Sequence, residues 1–216
     1  MSVKSPVQRP AAVLLSAAIL SHGAIAAPIQ TGPSSSQRPY ILPATQGWEV
    51  VSLLTVGDSV NNKADGSPYR MAGIPDGLGA MDGGNGQIIV FMNHELGATA
   101  GIVRDHGAKG AFVSQWTLDK NTLRVMNGQD LMQRVYTWNA ATGSYGLSMS
   151  PIARLCSADL PPVNAFFNPA TGKGFSGRIF MNGEESGAEG RAFAHIVSGP
   201  NKGNSYELPY LGKFSW

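Results

Sequence analysis

Apolar and polar residues alternate in short runs along most of this chain, and no long amphipathic helical period appears after the first 26 residues. Trp48 to Val56 opens the strand-like pattern. Gln87 to Asn93 and Ala111 to Leu118 follow; in the latter Phe112, Ser114, Trp116 and Leu118 share one face, Val113, Gln115 and Thr117 the other. Asp119-Lys120-Asn121 predicts a hairpin turn into Thr122 to Met126, and Asn139 to Gly143 a second turn between Gln133 to Trp138 and Tyr145 to Met149. Arg178 to Asn182, Ala192 to Ser198 and Ser205 to Leu208 are the later strands, while Asp130 to Arg134 is ambiguous. Gly57 to Tyr69 predicts a polar loop, and Asp76 to Gly79 and Asp82 to Gly86 predict turns, because Gly, Asn and Asp accept positive φ.

One unit occurs twice. Residues 90–95 read Val-Phe-Met-Asn-His-Glu and residues 179–184 read Ile-Phe-Met-Asn-Gly-Glu. Each apolar run ends in oxygen-bearing side chains, with a glycine soon after, and each is followed by a strand opening Ala-Phe (Ala111-Phe112, Ala192-Phe193). Such repetition predicts an all-β, β-propeller-like architecture in which equivalent strand ends deliver carboxylates to one place. Two units do not close a ring, so the expectation is an incomplete propeller, a fragment with about two repeat units. A complete β-sandwich is the alternative.

Composition narrows the picture. Glycine at 27 of 216 residues and only 14% charged side chains favour a turn-rich β protein over a helical or disordered one. Lys4 and Arg9 precede a short apolar run, Ala11 to Leu20, and Ala24-Ile25-Ala26 offers a small-x-small cleavage site. Residues 1–26 are therefore expected to be a signal peptide, 27–47 a flexible linker and 48–216 the partial propeller domain. The apolar run is too short to span a bilayer, so no stable membrane anchor is expected, and the destination is secreted or periplasmic. Without those two basic residues the 16 Lys and Arg fall to 14, equal to the 14 acidic residues, which gives no footprint for nucleic acid.

Carboxylates gathered at strand ends repel one another unless a cation compensates, and a hard metal ion is the simplest one. Glu95, Glu184 and Glu185 are the candidate metal ligands on this reasoning, with Asp76 and Asp159 in loops able to approach the same rim. Cys156 is the sole cysteine; it is either a buried inert thiol, a link to another chain, or a soft ligand. His94 is expected to bond a neighbouring backbone group, ligate metal or act as a general acid, His195 to be a satisfied core residue, and His106 to be solvated. No Gly-x-Ser-x-Gly elbow, phosphate loop, CxxC or HExxH occurs.

The ordered set Asp76-Gly77-Leu78-Gly79, Asn93-His94-Glu95, Cys156 and Glu184-Glu185-Ser186-Gly187 resembles the PhoX-type alkaline phosphatase family, over roughly residues 48–216. The resemblance implies an exported β-propeller with calcium, and iron as a second metal, acting on a small phosphorylated substrate. It implies hydrolysis of phosphate monoesters, with Cys156 as an iron ligand, Glu184 or Glu185 as an iron or calcium ligand, and Glu95 as a further carboxylate. As part of a ring, the chain would be inactive alone. A non-catalytic calcium-binding propeller module and a propeller lactonase or esterase remain the alternative functions.

Overall fold

The structure, a computed structural model, describes residues 29–187 and 190–213, so the expected signal peptide lies outside the described residues. These residues form sixteen strands and no helix. The strands are β1 (Ile29–Thr31), β2 (Val50–Ser52), β3 (Ser59–Asn62), β4 (Pro68–Arg70), β5 (Pro75–Gly84), β6 (Gln87–His94), β7 (Phe112–Asp119) and β8 (Val125–Asp130). They continue with β9 (Arg134–Asn139), β10 (Ser144–Ser148), β11 (Leu155–Asp159), β12 (Phe166–Asn168), β13 (Lys173–Phe175), β14 (Ile179–Glu184), β15 (Ala192–Ile196) and β16 (Asn204–Glu207).

Two sheets carry the architecture. The first is an antiparallel meander, β5-β6-β7-β8. The second has the order β10-β9-β16-β15-β14-β11, and within it β11-β14-β15-β16 is a second antiparallel meander, extended by the β9–β10 hairpin through a parallel β9–β16 pairing. The remaining three sheets have two strands each, and none of the sheets is closed. The all-β class is therefore established; ring closure is not part of what the described residues display.

The two meanders pack on each other through the repeated unit. Phe91 of β6 meets Phe180 of β14 with ring centroids 5.8 Å apart, and Asn182 donates to Asn93 at 2.8 Å across 89 residues of sequence. Phe112, Val113, Leu131, Met132, Leu155 and Phe193 complete this inter-sheet core. On the opposite face of the first sheet Met92, Trp116, Leu118 and Val125 pack with Tyr69 and Met71, so β7 is buried on both sides. This double burial is why its polar residues Ser114 and Gln115 are internal.

Several sequence expectations change. The stretch expected to be a turn, Asp76 to Gly79, lies inside β5, which runs on to Gly84; of the second expected turn, Asp82 to Gly86, the last two residues are the turn, Asn85-Gly86 with φ of 50° and 75°, the two-residue hairpin those residues favour. Gly77 and Gly79 serve packing instead. A methyl group on Gly77 would lie 2.6 Å from the Cys156 carbonyl oxygen and from the Ala158 methyl carbon, so glycine is what lets β5 lie directly on β11. Gly77→Ala should accordingly cost about 2 kcal/mol in a urea titration, the range for overpacking; an unchanged midpoint would contradict this contact. The expected loop Gly57 to Tyr69 contains the β3–β4 hairpin, and the expected linker contains β1, paired in parallel with β2. Both are short pairings without apolar alternation, which leaves no periodic signal to read.

Candidate metal centre

The site forms where β5, β6 and β11 end close together. Pro75 of β5 pairs with His94 of β6, and the Glu95 N–H donates to the Ile74 carbonyl at 2.9 Å, so Asp76 and Glu95 are neighbours by register. Close approach at Gly77 then brings β11 and its Cys156 alongside. The carboxylate oxygens of Asp76 and Glu95 and the Cys156 sulfur all lie within 4.8 Å of one another, and all three residues are half-buried.

Arg154 closes one side. Its φ of 55° is left-handed, an uncommon conformation for a side-chain-bearing residue, and its backbone is held at both ends. Its N–H donates to the Leu96 carbonyl and its carbonyl accepts from the Glu185 N–H, each at 2.9 Å. The guanidinium donates to Glu95 from Nε at 3.1 Å and to Glu185 from Nη2 at 3.1 Å. Thus the ends of the two repeated strands are linked through one arginine. Burial pushes the Glu95 carboxyl up; Arg154 pulls it down, while the negative charges of Asp76 and Glu185 add to the rise. Glu185 and Glu95 in turn hold the Arg154 guanidinium more firmly protonated.

Of the four predicted ligands, Glu95 and Cys156 come together, with Asp76 as third member. Glu184 and Glu185 stand outside this group. Glu184 is buried, accepts from Arg191 Nε at 2.7 Å and Nη2 at 3.1 Å, and accepts the Ala153 N–H at 2.9 Å. Its oxygens are committed to fastening the turn before β11. Glu185 is the far partner of Arg154. Asp159 lies at the other end of β11, paired with Met181. Asp76 was legible as an acid, but its place depends on β5 being a strand.

The support beneath the site is a buried polar relay. The Asn93 amide donates to the carbonyls of Cys156 at 2.8 Å and Ser157 at 3.3 Å. Asn93 Oδ1 accepts from Asn182, and Asn182 Oδ1 accepts from His195 Nε2 at 3.0 Å. His195 Nδ1 must then be the acceptor, and it receives the Ser205 hydroxyl at 2.7 Å. Every member satisfies the next, so the chain of bonds fixes one orientation of each amide and one tautomer of the histidine. His94 is equally committed: Nδ1 donates to the Ala72 carbonyl at 2.9 Å and Nε2 accepts the Ser114 hydroxyl at 2.8 Å. Neither histidine is available to a ligand. His106, expected to be solvated, is only 4% exposed, because its loop folds inward beside Asp130.

Comparison with known protein families, with curated proteins and with solved structures finds no match to this chain.

Proposed function

We propose that this protein is an exported metal-dependent hydrolase of phosphate monoesters, with its metal held by Asp76, Glu95 and Cys156. The observation that carries the reading is the convergence of one thiol and two carboxylates within 4.8 Å. The resemblance of the motif order to PhoX-type phosphatases supports it. So does the stacking of two four-stranded meanders, which we read as two propeller blades.

The donor set discriminates between metals. Calcium takes six to eight oxygens, and the group offers two carboxylates and a thiol, a poor match. A thiolate beside carboxylates suits a borderline transition ion such as iron, and three protein ligands leave positions for water and a phosphoryl oxygen. When bound, such a metal would polarise a phosphoryl oxygen and lower the pKa of a coordinated water. Arg154 beside the group would orient Glu95 and, released from Glu185, could offer N–H donors to a phosphate.

Titration with cobalt(II) as a spectroscopic stand-in tests the ligand set. A thiolate-to-metal charge-transfer band should appear with the native chain and vanish in Cys156→Ser. Asp76→Asn should weaken binding at least tenfold, about 1.4 kcal/mol. No band, or one indifferent to Cys156→Ser, rejects the site. Iron-stimulated release from an aryl phosphate supports the phosphatase and overturns the expectation that the chain is inactive alone; hydrolysis of a lactone in its place moves the reading to an esterase. Calcium binding with neither activity leaves a non-catalytic module.

A further inference from the structure

A second cavity, of about 480 Å³, opens at the opposite edge of the first sheet, between the β3–β4 hairpin, residues 102–105 and β8. Sheet β5-β6-β7-β8 separates it from the metal group by three strand spacings, roughly 14 Å. Its shape is fixed in advance. Asn61 locks the hairpin to β8, accepting the Gly128 N–H at 2.7 Å and donating to the Gly128 carbonyl at 3.0 Å. At the floor Asp130, 3% exposed, accepts the Tyr69 hydroxyl at 2.7 Å, the Asp105 N–H at 3.1 Å and Arg104 Nη1 at 3.4 Å. The Arg104 guanidinium lies 3.7 Å from the centre of the Phe112 ring and cannot swing away without losing that stack.

What this floor leaves unused defines the ligand. The other N–H groups of Arg104 and the exposed Asp105 carboxylate make no hydrogen bond among the described residues. A phosphate would face three carboxylates, since Asp65 also lines the cavity; a bare cation would face Lys63 and Arg104. A hydroxyl suits both kinds of group, because it donates to a carboxylate and accepts from a guanidinium or amide. Ile102 and Val103, both more than half exposed, line the cavity and offer apolar contact to the C–H face of a ring. We infer that this cavity binds a neutral saccharide of one or two rings, whose adjacent hydroxyls bridge Arg104 and Asp105. The volume falls within the range of small-ligand sites.

Calorimetric titration of the protein with glucose, galactose, mannose and N-acetylglucosamine tests this. At least one should bind saturably with a Kd near or below about 1 mM, and Asp105→Ala should weaken it about tenfold. Ile102→Ser, on an exposed side chain that lines the cavity, should weaken it several-fold, with the melting temperature of both variants unchanged. Saturable binding by none of the four sugars overturns the inference. So does binding indifferent to both substitutions, or a preference for orthophosphate or free lysine over every sugar.

Discussion

Asn182→Leu should be among the most damaging single substitutions in this protein, costing about 4 kcal/mol of stability. The side chain is fully buried, and its removal strands two groups at once. The Asn93 Oδ1 loses its donor and the His195 Nε2–H its acceptor, each a buried orphan worth roughly 1–3 kcal/mol. Leucine has similar volume, so a cavity is not the cause. Urea titration should show the midpoint falling with little change in slope. Ser205→Ala, which removes the terminal donor to His195, should cost only about 1 kcal/mol. The two Asn positions should also couple: Asn93→Leu with Asn182→Leu should cost clearly less than the sum, because each amide is the other's unsatisfied partner. A loss below about 1 kcal/mol for Asn182→Leu would mean the relay contributes little to holding the sheets together.

The same relay explains how the fold serves the candidate metal group. Asn93 grips the backbone at Cys156, so the thiol's position is set by a bond from the core and not by loop packing. Asn182→Leu should therefore also weaken cobalt binding in whatever fraction remains folded, even though Asn182 touches none of the three ligands.

Much of this was written in the sequence, and what was hidden has physical reasons. The repeated Phe-Met-Asn strands and their Ala-Phe successors were legible because alternation and composition agree. Their faces then meet at Phe91–Phe180 and Asn93–Asn182. Asp76-Gly77-Leu78-Gly79 was misread because glycine serves a turn and a close sheet contact equally well, and only the neighbour at Ala158 distinguishes them. Cys156 gave no strand signal because β11 has only five residues and no alternation. Glu95 and Glu184 close the two copies of one motif yet have different fates. Arg191, stacked near Phe193 at 5.2 Å, neutralises Glu184, whereas the comparable Arg104, stacked on Phe112, turns to Asp130. Glu95 is thus left to Arg154 and to the cluster. Which arginine reaches which acid is a tertiary fact that motif identity cannot carry.

Acid should begin to destabilise this protein well above the range where carboxylates ordinarily protonate. Burial holds His94 down to about 4 and His195 down to about 3, against an ordinary value of 6.5. Both rings are neutral in the fold, and each has one nitrogen occupied as an acceptor, from Ser114 and Ser205 respectively. In the unfolded chain they bind a proton near pH 6.5, so the unfolded state takes up more protons as pH falls. Their contribution is fully present above pH 6.5 and drains away as pH falls toward 4. By pH 4 the loss is on the order of 3 kcal/mol for each histidine, a large share of a typical 5–15 kcal/mol stability. Asp58, Asp65 and Asp119, whose pKa values are lowered by hydrogen bonds in the fold, add their losses only below about pH 4. Urea midpoints at pH 7.5, 6.5, 5.5 and 4.5 should therefore decline steadily over the last three points. His94→Asn, whose amide can still donate to the Ala72 carbonyl, should start less stable at pH 7.5 and show about half the decline. A midpoint that stays level from pH 6.5 to 4.5 would require at least one of these rings to be reachable by water, and with it a looser packing of the strand that carries it.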